Sequence, residues 1–140
     1  MLGKICTKPV VTAPATMTVA EVARLMRAKN VGAVVVANAG RPIGMLTDRD
    51  IAVDVVASGK DPSETRVGQV MRKKVTVIRE DQGVFDAARV FAKTGVRRLP
   101  VVDKGGKMVG IVAMDDLMML LGNEMGYVAG ALSAELKRAS

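Results

Sequence analysis

The chain contains no histidine and no tryptophan, has a single cysteine, and carries aromatic residues at only 2%. The lack of histidine removes the commonest general base, the commonest zinc ligand and every Ser-His or Cys-His arrangement. The lone thiol, Cys6, has no partner for an internal disulfide and reads as a reduced cytosolic cysteine rather than a catalytic one. No apolar run approaches the ~20 residues of a membrane helix. The strongest run, Val31 to Ala37, stops at Asn38. No basic segment leading into an apolar stretch and a cleavage site opens the chain, so the expected location is cytoplasmic, away from any membrane. With so few rings, stacking platforms for single-stranded nucleic acid are missing.

What is present is aliphatic and basic. Of 140 residues, 49% are hydrophobic and ten are Met, which fits a compact, adaptable core. The net charge is +7, which favours anionic partners such as nucleotides, nucleic acid or phosphorylated proteins.

The chain says the same thing twice. Gly44-Met45-Leu46-Thr47-Asp48-Arg49-Asp50 and Gly110-Ile111-Val112-Ala113-Met114-Asp115-Asp116 share a glycine, an apolar pair, a turn residue and an aspartate three positions on. Upstream, Val19, Val22, Ala23 and Met26 mark one apolar helix face, and Val84, Ala87, Ala88 and Phe91 repeat it at an offset of 65. Thr18 with Glu21 forms a capping box before the first helix, and Gly83 with Asp86 is the weaker second version. Short β-branched runs follow, Val34 to Ala37 and Leu99 to Val102, and each turns into a second strand, Ile43 to Thr47 and Met108 to Ala113. Val10-Val11-Thr12 and Val75-Thr76-Val77 read as entering strands. In the closing helices, Ile51, Val55 and Val56 bury before Gly59, and Leu117 to Leu121 bury before Gly122. Each unit is therefore β-α-β-β-α. The polar stretch Lys60 to Thr65 links them, and Val67 to Met71 forms one turn leading into the second unit.

This order, the two glycine-to-aspartate turns and Val96-Arg97-Arg98-Leu99-Pro100-Val101-Val102-Asp103 resemble a tandem pair of cystathionine-β-synthase (CBS) domains, a Bateman module, over about residues 5–122. The resemblance implies an α/β (α+β) fold of two β-α-β-β-α repeats, sheets face to face; the repeats are expected at 1–62 and 63–122, with a C-terminal helix at 123–140 that is extra to them. It also implies an adenosine nucleotide, AMP, ADP or ATP, with S-adenosylmethionine or NAD as other adenosyl ligands, in clefts between the repeats. The implied nucleotide-binding residues are Thr12, Val31, Gly32, Ala33, Thr47, Arg49, Asp50, Arg97, Arg98, Pro100, Met114 and Asp116. In this family the aspartate takes the ribose hydroxyls and the Thr or Ser hydroxyl meets phosphate or ribose. Thr47 and Asp50 fit that pattern fully, whereas Ala113 replaces the hydroxyl beside Asp116, which favours one nucleotide per chain.

The residue chemistry agrees. A carboxylate accepts two hydroxyl hydrogen bonds, a hydroxyl at a helix N-terminus suits phosphate, and arginine's fork suits phosphate oxygens. A plainer reading stands beside it: Asp50 and Asp116 as first-turn helix carboxylates, Thr47 as an N-cap, Arg97 and Arg98 as a solvated pair. Arg72-Lys73-Lys74 reads as a solvated face or as an addition to an anion-binding surface. The adjacent Asp115 and Asp116 do not converge on one reacting atom, and Gly105-Gly106-Lys107 is a hairpin turn rather than a phosphate loop.

Beyond the repeat, Met125, Val128, Ala129, Leu132 and Leu136 give an apolar stripe, and Gly122, Gly126, Gly130 and Ala134 a small-residue ridge. Two readings are open: a tail helix over the module's own core, or packing against the same helix of a second subunit. The expected protein is a non-enzymatic regulatory homodimer with no catalytic machinery or metal site. It senses an adenosyl ligand and signals to an effector protein of unknown identity. The rivals are a ligand-free scaffold subunit and a nucleic-acid-binding protein.

Overall fold

In a computed structural model, residues 1–139 are described. The first sheet holds β1 (Thr12–Ala13), β2 (Ala33–Asn38) and β3 (Arg41–Thr47) in that order, with β1 parallel to β2 and β2 antiparallel to β3. The second holds β4 (Ile78–Arg79), β5 (Arg98–Val102) and β6 (Met108–Ala113) with the same pairing. Ala13 lies opposite Val36 and Ile78 opposite Val101, so the offset of 65 carries one sheet onto the other. The entering strands pair later and more briefly than expected: only Thr12 of the first predicted run, and none of the second, belongs to a paired strand.

Helix α1 (Val19–Lys29) crosses the first sheet and α4 (Val84–Thr94) the second. The Thr18 hydroxyl accepts the Glu21 N–H at 3.2 Å, and the Asp86 carboxylate accepts the Gly83 N–H at 3.0 Å, so each helix start is capped by half of a capping box. Both helices stop on a left-handed residue, Asn30 and Gly95. Val19, Val22 and Met26 bury as expected, but Ala23 is exposed, because the face meeting the sheet is narrower than the pattern suggests. After β3, α2 (Asp48–Asp50) continues as a π-helix over Ile51–Val56. Val55 is buried there, whereas Val56 faces outward. The short α3 (Val67–Val70) follows the linker.

Each repeat has its own core. One gathers Ala13, Val22, Met26, Val34, Val36, Leu46 and Val67; the other gathers Leu2, Ile78, Ala87, Phe91, Leu99, Val101, Val112 and Leu117. The segments that precede the repeats are exchanged. Leu2, in a 3-10 turn (Leu2–Lys4), seals the core of the second repeat, while Val67, Val70 and Met71 pack on the core of the first. Val67 to Met71 therefore does not simply lead into the second unit. It closes the one behind it.

The last helix, α5 (Met114–Ala139), runs unbroken through Gly122, which does not end it. Leu117 is buried and Leu121 touches the second core, but Met118 and Met119 are exposed, so the burying run is shorter than expected. Beyond Leu121 the described side chains are exposed, which removes the reading of a tail folded over the module's own core. No helix among the described residues is long and apolar enough to cross a membrane.

Candidate functional site

The two sheets face one another, and clefts open between them on either side of a pseudo-twofold relation. One cleft, of about 390 Å³, is lined by Met45, Thr47, Asp48 and Arg49 from the first repeat and by Arg72, Lys74, Val75, Thr76, Gly95, Val96, Arg97 and Arg98 from the segment around the second. The other, of about 300 Å³, is lined by Ile111, Ala113, Asp116 and Arg98 from the second repeat. Thr7, Pro9, Val10, Val11, Asn30, Val31, Gly32, Ala33 and Val35 supply its opposite wall. Subtracting 65 from Arg72, Lys74, Arg97 and Arg98 gives Thr7, Pro9, Gly32 and Ala33. All four cations thus stand where the opposite cleft has uncharged residues.

The implied site residues are divided between these places. Thr47, Arg49, Arg97 and Arg98 meet in the first cleft. Val31, Gly32, Ala33, Arg98 and Asp116 meet in the second. Thr12 is exposed and lines neither; it borders a separate cavity with Pro9, Pro14, Ala37 and Met108. Pro100 is buried in β5, and Met114 is half-buried against the second core. Asp50, the aspartate that fits the family pattern best, sits behind the wall of the first cleft with its side chain only 4% exposed.

Asp50 is held from two sides. Its Oδ2 accepts the Thr47 N–H at 3.0 Å while the Thr47 hydroxyl accepts the Asp50 N–H at 3.1 Å, a reciprocal capping box. Its Oδ1 faces Arg72, whose Nε lies at 3.2 Å and Nη2 at 3.1 Å. The Arg72 side chain is itself 68% exposed. Arg97 is also paired, through Nη2 to Asp115 Oδ1 at 3.0 Å. The second cleft has no counterpart to the Arg72 clasp: Thr7 occupies the equivalent position, and Asp116 is exposed.

The motif glycines have a packing reason. A Cβ on Gly44 would overlap the Met71 sulfur, and one on Gly110 would overlap the Cys6 sulfur. Each glycine thereby lets an exchanged segment pass over the sheet, where Met45 pairs with Arg72 and Ile111 with Thr7. Cys6 is thus a packing residue. Sequence reasoning missed Met45, Asp48, Val75, Thr76 and Val96 as cleft walls and saw Arg72 and Lys74 only as part of a basic cluster, either a solvated face or an addition to an anion-binding surface. The signal that finds Arg72, Lys74, Val75 and Thr76 is the offset of 65 carried upstream of each first strand.

A CBS domain family model matches residues 2–56 and again residues 67–123. The chain belongs to the CBS-domain family. Its two CBS domains are 41% identical over 111 residues to the CBS domain-containing protein YhcV of Bacillus subtilis, covering 79% of this chain and 78% of that one. Among solved structures, the CBS domain pair of protein MJ0100, in complex with 5′-methylthioadenosine and S-adenosyl-L-methionine, superposes with a TM-score of 0.77 at 26% identity. It covers 89% of this chain and 97% of that one. The cytosolic domain of the Mg2+ channel MgtE, in complex with ATP, superposes at 0.70 with 36% identity over 82% of this chain and 46% of that one. As a CBS pair, the chain has the β-α-β-β-α repeats and face-to-face sheets that the resemblance implied.

Proposed function

We propose that this CBS pair is a regulatory, non-enzymatic module that binds an adenosine nucleotide in the cleft between its repeats and passes that state to a partner protein. The observation that carries the reading is the makeup of the first cleft. Hydrophobic walls from Met45, Val75 and Val96 suit a base, while Arg49, Arg72, Lys74, Arg97 and Arg98 line the same cleft against one acidic residue, Asp48, giving it a positive balance suited to phosphates. Asp50, one side chain behind that wall, supplies the acceptor a ribose diol needs. Support also comes from the two similar structures, one holding adenosyl compounds and the other ATP. This reading favours one nucleotide per chain, because Arg49, Arg72, Lys74, Arg97 and Arg98 line the first cleft and only Arg98 of these also lines the second.

The output surface in this reading is α5 paired with α5 of a second copy. Met125, Val128, Leu132 and Leu136 lie on one stripe, and each is more than half exposed. Ligand in the cleft shifts how the two repeats sit, and the dimer presents that shift to the effector.

A thermal-shift screen with AMP, ADP, ATP, S-adenosylmethionine and NAD tests the reading. A ligand at 100 times its dissociation constant stabilises by about 2.7 kcal/mol. A shift that disappears in Asp50→Ala supports the sensor. If no compound shifts the protein, the ligand-free scaffold takes its place. Salt-sensitive binding to duplex DNA or RNA without a nucleotide response would instead favour the nucleic-acid reading.

A further inference from the structure

Arg72 and Asp50 form the only pair between the described residues in which one partner is almost fully buried and the other lines a cleft. We propose that this pair is a lock on the basic cleft which a phosphate chain opens, so that the cleft selects nucleoside di- and triphosphates over the bare nucleoside. The inference rests on the nucleotide reading above and says how that site chooses its ligand.

The geometry defines the lock. Asp50 Oδ2 accepts the Thr47 N–H, Oδ1 faces both Nε and Nη2 of Arg72, and the side chain is only 4% exposed, so the Arg72 guanidinium stands between the carboxylate and any ribose diol in the cleft. The Arg72 backbone cannot withdraw easily, because its N–H and C=O exchange hydrogen bonds of 2.9 and 3.0 Å with Met45. Its side chain can swing, being largely in solvent. A nucleoside offers the guanidinium nothing in exchange for Asp50. A phosphate chain held among Arg49, Lys74, Arg97 and Arg98 offers anionic oxygens in bidentate geometry. Once Arg72 turns to the phosphates, the buried Asp50 carboxylate needs new donors, and the two ribose hydroxyls supply them. Each half of the ligand therefore prepares the site for the other, which is positive coupling. The opposite cleft is the internal contrast. Thr7 stands where Arg72 would be and Asp116 is exposed, so that cleft has no lock.

The test separates the two halves of the ligand. Adenosine is titrated by calorimetry into the full chain carrying Asp116→Asn, which removes the carboxylate of the unlocked cleft, with and without saturating inorganic tripolyphosphate. The lock predicts that tripolyphosphate tightens adenosine binding by about tenfold. It also predicts that Arg72→Gln binds adenosine more tightly than its parent and no longer responds to tripolyphosphate. Adenosine binding that is unchanged or weakened by tripolyphosphate, in a chain that binds ATP, overturns the lock alone. A chain that binds neither ATP nor adenosine overturns the nucleotide reading on which it rests. If Arg72→Gln does not fold, the coupling measured with Arg72 in place decides the matter.

Discussion

Met45 and Arg72 are joined backbone to backbone across the linker, and Ile111 and Thr7 are joined in the same way on the other side of the molecule. These bridges fix which side chain overlooks which cleft. One overlooking residue is an arginine and the other a threonine, so two copies of one unit end with clefts of different charge.

The glycines under those bridges should not be exchangeable with alanine. Gly110→Ala pushes a methyl into Cys6 and toward the Thr7 carbonyl, which is backbone and cannot give way. The expected loss is about 1–3 kcal/mol in denaturant unfolding. Gly122→Ala, within α5 and with nothing close to its would-be Cβ, should stabilise the helix by about 0.5–1 kcal/mol. Equal effects at the two positions would contradict the packing described.

Thr18→Ala removes the hydroxyl that caps α1. The Thr18 hydroxyl is the side-chain cap at this end, so the expected cost is about 1 kcal/mol, read as a lower melting temperature. Thr18→Ser should restore most of it.

Leu46 is fully buried in β3 between α1 and the exchanged α3. Leu46→Ala should cost about 2–5 kcal/mol, because the rigid sheet around it cannot close on the cavity. Chemical unfolding measures this directly.

Leu132→Glu places a charge in the middle of the exposed α5 stripe. In sedimentation the parent chain should run as a dimer and the variant as a monomer, with unchanged helix content by circular dichroism. A monomeric parent would remove α5 as the dimer surface.

Nucleotide binding to the basic cleft should weaken with salt. Arg49, Arg72, Lys74 and Arg98 are within screening range of solvent, and the Debye length falls from about 10 Å at 0.1 M to about 3 Å at 1 M. Binding isotherms for ATP across that range should show a progressive loss, steeper than for S-adenosylmethionine, which lacks phosphates.

The duplication, the two helices, the hairpins and the capping residues were legible because each is a local pattern. A period near 3.6, a β-branched run and a turn residue all act within a few positions. The family resemblance followed from the same local signals set in register. The motif residues Thr47 and Asp50 were legible too, and their reciprocal capping box is a local device.

What the sequence by itself determined is therefore a repeated β-α-β-β-α unit with a basic balance and no histidine chemistry. Only the tertiary structure decided which segment closes which core, and hence that Leu2 serves the second repeat and Val67 the first. That exchange brings Arg72 onto Asp50 over 22 positions of chain and leaves Thr7 beside the exposed Asp116. The physical reason is that an apolar side chain such as Leu2 or Val67 gains from burial against either core. Its local sequence carries no preference between them, and the choice falls to the sheet geometry and the two glycines that let the segments cross.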